Sequence, residues 1–327
     1  VSTSVNANKH VRPLNKIILG VTVVVTVLGL VLPKIWIDDL LTPIAFLLIL
    51  AGIPHGASDF VIFQQLLDKR KITQQIAYFG IGYTTITVLY LCVWWISPFS
   101  AFLLFLINSI YHFGESNWNY LKIESRLKKS AIYSIWGAAV LGVPVLLHFE
   151  EAAVIIQEIT GTHVVISTAI RASLIFLLCF GNLVAITTLL EEEHLETHQF
   201  YREIRHFLLL MLLFFCTPLL IGFSVYFVFW HSIYAVKDQF NLLELARNDQ
   251  RKKAYIRQVL VISLISFVGV GVLYIGAHNL MNQGYNLGKL FVFIAVITVP
   301  HSLLMHYLYQ FKVFQEKNDW SELSDLH

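Results

Sequence analysis

The chain has 327 residues, 57% of them hydrophobic and only 13% charged, about half the charged share of an average soluble domain. With a mean hydropathy of +0.67 and a formal net charge of +2, it carries too much apolar surface for a soluble fold and too little positive charge for a nucleic-acid partner. Cys92, Cys179 and Cys216 each fall inside a hydrophobic run, which argues for packed apolar residues and against a disulfide framework or a C-x-x-C centre.

An all-α, polytopic transmembrane bundle of about 8–10 spans is the expected class, because helices satisfy their backbone groups internally in lipid. A span takes about 20 apolar residues. Behind a basic leader (Lys9, Arg12, Lys16) the first apolar run, 16–32, is expected to be a span rather than a cleaved signal. The next candidates are 40–63, 76–96, 99–118, 130–148 and 167–190, followed by 206–222, 223–239, 257–278 and 289–311. Residues 206–239 are too long for one comfortable span and short for two, and Pro218 and Gly222 mark a tight bend between them. The expected organisation is a cytoplasmic tail over 1–15, one transmembrane domain over 16–311 and a cytoplasmic tail over 312–327.

Orientation follows the bias of Lys and Arg toward the cytoplasm. With the N-terminus inside, the basic loops at 68–71 and 122–129 fall inside, and the loop 149–166, with Glu150, Glu151 and Glu158 and no Lys or Arg, falls outside. The strongest basic cluster, Arg247, Arg251, Lys252, Lys253 and Arg257, lands inside when 206–239 crosses twice. Ten crossings are therefore favoured, with nine or fewer as the alternative. The loop 191–205 is mixed in charge and decides little.

Four histidines interrupt the apolar runs: His55 in GIPHGASDF, His112 in YHFGESNW, His231 in VFWHSIYAVKDQ and His301 in TVPHSLLMHYLY. An imidazole within a lipid-buried helix is costly and is usually kept for function. On the ten-span topology all four segments run from outside to inside, and each histidine lies around or past the middle. Four imidazoles in one layer point to one metal ion. Neutral nitrogen ligands suit ferrous iron better than calcium or magnesium. The plainer reading, a histidine bonding between helices, holds about evenly for any one alone and loses ground for the set.

Metal-bound histidines commonly give their second N–H to a carboxylate. Asp59 follows His55 by four residues, Glu115 follows His112 by three, and Asp238 follows His231 by seven, each on roughly the same helical face. His306 is five residues, about 140°, from His301, and is held in reserve as a ligand. His194 and His198 in EEEHLETH have the spacing of a metal pair but read better as a solvated helix face. Gly52, Gly56 and Gly114 leave room either for close helix packing or for a ligand, and Pro54 and Pro300 loosen the backbone just before a histidine. Tyr111, Phe113, Trp118, Trp230 and Tyr234, with Phe227 and Phe229, crowd the histidine motifs. They would serve as core packing or as the wall of a slot for a long apolar or polyene substrate.

PHGASD at 54–59, YHFGE at 111–115, WHS at 230–232 and the late PH at 300–301, in that order along most of the chain, resemble the Brp/Blh family of integral-membrane β-carotene 15,15'-dioxygenases. The resemblance implies cleavage of β-carotene, or a related carotenoid, at its central double bond with O2 to give two molecules of retinal. It implies a ferrous iron cofactor, Fe(2+), held by histidines, with His55, His112 and His231 matching family ligands. It also implies a carotenoid drawn from the bilayer, handover of retinal to a rhodopsin, and a prokaryotic inner membrane. One departure stands out. The family pattern has a second histidine four residues after that of WHS, and this chain has Ala235 there. Either His301 completes the site or this member has another site or activity; His301 is the expectation adopted.

The rival readings differ in class. A di-iron desaturase or hydroxylase would show tight histidine clusters, and no His-His pair occurs in the chain. A b-type cytochrome would show haem absorption. A transporter would use the histidines and carboxylates as an ion path through helices broken at Pro54, Pro218 and Pro300. A retinal-binding opsin would need a lysine deep in a late span, and the last two spans have lysine only at Lys289, at the edge.

Overall fold

The computed structural model describes residues 4–32, 56–66, 71–242, 249–281 and 287–324. Among them helix is the regular structure and no strand occurs. In chain order the helices are α1 (Ser4–Val31), α2 (Asp59–Leu66), α3 (Ile72–Ile96), α4 (Pro98–Trp118), α5 (Arg126–Leu147) and α6 (Phe149–Thr160). There follow α7 (Thr168–Glu191), α8 (Thr197–Cys216), α9 (Leu219–Val225), a π-helical stretch (Tyr226–Ser232), α10 (Ile233–Leu242), α11 (Asp249–Met281) and α12 (Leu287–Ser324).

Local chemistry sets many of the helix ends. Ser97, Ser125 and Ser167 cap α4, α5 and α7, each accepting from a backbone N–H three residues on, which satisfies one of the orphan donors of a helix start. Pro98 follows its cap at the first helical position, where the missing N–H costs nothing. The expected break at Pro218 is present. Thr217, the residue before proline, is extended, and its N–H bonds back to Leu213 O, so α8 ends before the bend and α9 begins after it. The predicted loop 149–166 is helical over α6. Its N-terminal turn carries Glu150 and Glu151, which complement the positive end of a helix, while Phe149, Ala152 and Ile159 are buried.

Among the described residues, five helical stretches are long and apolar enough to cross a membrane: Ile72–Ile96, Arg126–Leu147, Thr168–Glu191, Leu219–Asn241 and Phe291–Gln310, with Asn15–Val31 as a shorter apolar helix. Other predicted spans are helical but more polar. α4 carries HFGESN near its end, and α8 starts ahead of the predicted span 206–222, so that its first half carries Arg202, Glu203, Arg205 and His206. Most of the predicted span 40–63 lies outside the described residues. Helices such as α3 and α7 expose whole apolar faces, including Leu89, Ile81, Phe176 and Leu177. Such surface is stable only against lipid or another apolar partner. The protein is an all-α integral-membrane helical bundle.

The chain folds as two compact units. One comprises residues 1–51, 120–152 and 166–233, the other 52–119, 153–165 and 234–327. The first is built on α5, α7 and α8. Trp136 of α5 packs on Phe207 of α8 with ring centroids 5.7 Å apart, and Asn182 of α7 donates to Ile135 O of α5 at 2.9 Å. The second has a core in which Tyr90 and Trp94 of α3, Ala101 and Phe102 of α4, Ile159 of α6, and Ala295 and Val296 of α12 come together. Ile62 of α2 packs separately with Met305, Leu308 and Tyr309 of α12.

Candidate metal and substrate site

Within the second unit, three helices bring polar side chains into the apolar interior. His112 comes from α4 and His301 from α12, and their rings lie 5.3 Å apart, nearly perpendicular at 83°. Both are buried. Asp59, the first residue of α2, meets His301 from the other side, with its Oδ1 2.7 Å from His301 Nδ1. Asp59 is itself 2% exposed, and a carboxyl group so buried needs hydrogen-bond partners. A carboxylate on Nδ1 selects the tautomer with the proton there and turns Nε2 into the basic nitrogen. Gly56 lies just before α2, where an added Cβ would come 3.9 Å from His301 Nδ1.

The remaining predicted residues divide as follows. His55 lies outside the described residues. The partner observed at Glu115 Oε1 is His306, whose Nδ1 is 2.8 Å away. Asp238 accepts from Asn119 Nδ2 at 3.0 Å. Phe113 and Trp118 are buried, Phe113 with its ring 5.9 Å from that of His112. Tyr111 faces His306 at 5.7 Å, and the Lys237 ammonium sits over the Tyr234 ring. Among the described residues no three His, Cys, Asp or Glu side chains converge closely enough to hold a metal ion.

His231 and Trp230 belong to the first unit and sit in the π-helical stretch. π-turns are rare and concentrate at functional positions. Here Ser232 Oγ donates to Phe227 O five residues back, at 2.8 Å. The rings of Phe223, Phe227 and His231 stack in succession at 5.9 and 5.8 Å. Trp230 Nε1 donates to Thr22 Oγ1 of α1 at 2.9 Å, and its ring meets His206 at 5.0 Å. At the polar end of the same unit, Glu203 accepts from Arg202 Nε and from Tyr120 at one oxygen. Burial pushes its carboxyl up, with Arg202 and Tyr120 opposing.

His194 and His198 do not share a helix face. His194 lies in the turn after α7 and His198 in the first turn of α8, 3.5 and 3.0 Å from Glu192 and Glu196.

Some polar residues near these positions leave no mark in the sequence pattern. Tyr83 of α3 donates to Asp59 Oδ2 at 3.2 Å. Ser302 Oγ lies 2.9 Å from Asn108 Oδ1 of α4. The only signal for Tyr83 is a hydroxyl in mid-span, beside two threonines in GYTTIT.

The spacing of the two imidazoles is compatible with two ligands of one divalent transition metal. Imidazoles bound to one ion at about 2.0–2.1 Å and roughly tetrahedral angles would have ring centroids about 5 Å apart, close to the observed His112–His301 spacing. The family model for "Beta-carotene 15,15'-dioxygenase" matches residues 46–309. A protein named Beta-carotene 15,15'-dioxygenase, from an uncultured marine bacterium 66A03, is 26% identical over 266 residues, covering 81% of this chain and 92% of that protein. No solved structure matches the chain. The match takes in α2, α4, the π-helical stretch and α12 up to residue 309, and with them every described histidine of the set; this chain belongs to the beta-carotene 15,15'-dioxygenase family.

Proposed function

We propose that the chain is a membrane-embedded oxygenase that takes β-carotene, or a closely related carotenoid, from the bilayer and cleaves its central double bond with O2, giving two molecules of retinal. The alkene bond and the O–O bond break, and each alkene carbon takes one oxygen atom. The sum requires neither a proton nor an outside electron. A ferrous iron, when bound, supplies the activation of O2 that this chemistry needs. The proposed ligand set is His55, His112, His231 and His301, of which His112 and His301 meet as a buried pair. Asp59 keeps His301 in one tautomer and one orientation. Phe113 and Trp118, buried beside the histidine motif, would keep water away from a polyene. Tyr111, Trp230 and Tyr234 are the further wall residues proposed for the substrate.

The observation that carries this reading is the buried His112–His301 pair with Asp59 on the outer nitrogen of His301, in a chain of this family. It extends to a prokaryotic inner membrane with the N-terminus in the cytoplasm, and to release of retinal into the bilayer for capture by a retinal-binding protein such as a rhodopsin.

The test is metal analysis of the purified protein after anaerobic iron loading, with a retinal assay on β-carotene. About one iron per chain is expected, and His112→Ala and His301→Ala should each lose both iron and retinal. Iron retained in both variants would remove them from the ligand set. A fully active protein free of metal would overturn the iron reading altogether.

A further inference from the structure

We infer that Tyr83 is a positioning residue for the metal site, acting on His301 through Asp59. The inference rests on the ligand role proposed above for His301 and adds a residue that neither the motifs nor the family match assigns. Three helices of the second unit build the chain of contacts. Tyr83 projects from the middle of α3, with its hydroxyl 3.2 Å from Asp59 Oδ2. The other oxygen of the same carboxylate, Oδ1, is 2.7 Å from His301 Nδ1 on α12. Each carboxylate oxygen thus has its own donor. The phenol fixes the rotation of the carboxylate, and the carboxylate fixes the plane of the imidazole.

The alternative acceptor for the phenol is Ile297 O, 3.4 Å away. This is the carbonyl one turn before His301. Pro300 has no N–H for the carbonyl of Val296, four residues back in α12, and Ile297 O, next to it, is the carbonyl that faces the N–H of His301 itself. Both positions open to the hydroxyl therefore lie on the His301 support, one on its carboxylate and one on its helix. The ring of Tyr83 is held independently, 5.1 Å from that of Phe79, so removing only the oxygen leaves the packing in place.

An outer-sphere partner of a metal-bound histidine typically changes metal affinity by about 10–100-fold. Tyr83 stands one bond further out than Asp59, and the lower end of that range is expected. The experiment is anaerobic iron(II) titration of full-length protein in lipid nanodiscs, for wild type, Y83F, D59N, the Y83F/D59N double variant and H301A. Thermal unfolding of each metal-free protein is measured in parallel. Y83F should weaken iron binding by about tenfold, with a fall in the metal-free melting temperature no larger than one lost hydrogen bond explains. In the D59N background the same change should add nothing, because the carboxylate through which it acts is gone. The visible bands of cobalt(II) bound in place of iron should also shift in Y83F.

Wild-type iron affinity in Y83F, alongside lost affinity in H301A, would overturn the role of Tyr83 and leave the ligand reading standing. Wild-type affinity in H301A would overturn the ligand reading and this inference with it. An equal loss with and without Asp59, accompanied by a larger fall in the metal-free melting temperature, would make Tyr83 a packing residue and overturn the inference on its own.

Discussion

His306 and His301 share α12 but face different carboxylates, Glu115 and Asp59 respectively. Five residues place them about 140° apart around the helix, and the two separate pairings are what that angle requires. His306 is also the more accessible of the two, at 35% side-chain exposure against 6%. We predict that His306→Ala keeps its iron stoichiometry and loses less than about tenfold in affinity, the lower limit for a supporting group. Metal analysis after anaerobic loading checks this; iron loss as deep as that of His301→Ala would make His306 a ligand. The histidines themselves are legible in the sequence because an imidazole among Leu, Ile and Phe is an expense that local structure does not explain. Their partners are not. Helical spacing places Asp59 four residues from His55, which lies outside the described residues, and gives no sign of its contact with His301, 242 positions along the chain. Tertiary pairing of that kind leaves no periodicity to read.

At the scale of elements, the break between α8 and α9 is readable because proline restricts the residue before it. The π-helical stretch that follows is not, since WHS and its aromatic neighbours also suit an ordinary α-helix. One of its side chains, Trp230, is held by a contact far along the chain. Thr22 of α1 accepts from Trp230 and also donates to Ile18 O one turn back, so one buried hydroxyl serves both its own helix and the indole. Trp230→Phe should lower stability by about 1 kcal/mol for the lost hydrogen bond, read as a lower melting temperature in detergent. Thr22→Val should add little to it, because the two changes remove the same interaction. The same α1 also packs against the end of α8. A Cβ on Gly29 would strike the backbone carbonyl oxygen of Cys216 and lie 2.8 Å from Thr217 Cγ2. Backbone cannot yield as a flexible side chain does. Gly29→Ala should therefore cost about 1–3 kcal/mol, whereas Gly20→Ala, with nothing within 4 Å of the new methyl, should not. Equal melting temperatures for the two glycine variants would argue against the close approach of α1 to α8.

For the whole molecule, orientation rests on charge, and the structure adds a reason why one apparent exception does not count. Arg171 lies near the start of α7, on the side assigned to the exterior, where basic residues are disfavoured. Its guanidinium is 2.8 Å from Glu150 Oε1 and sits 5.4 Å from the centre of the Phe149 ring. The Glu150 carboxyl is held below its usual range by its own backbone N–H and by Arg171, so the pair stays ionised and nearly neutral in sum at physiological pH. The opposite ends of α5 and α7 carry Lys128 and Glu192, which also pair, but there Lys122, Arg126 and Lys129 remain in excess. The net bias therefore still favours the proposed orientation, with 122–129 expected inside and 161–167 expected outside. Labelling of single cysteines with a membrane-impermeant maleimide measures this, after Cys92, Cys179 and Cys216 are replaced by serine. Thr162→Cys, in the exposed turn after α6, should react in intact spheroplasts. Lys122→Cys, exposed between α4 and α5, should react only once the membrane is opened. The reverse pattern would invert the molecule, and reaction of both in intact spheroplasts would mean that an even number of crossings separates the two loops, removing α5 as the single span between them despite its length and hydropathy.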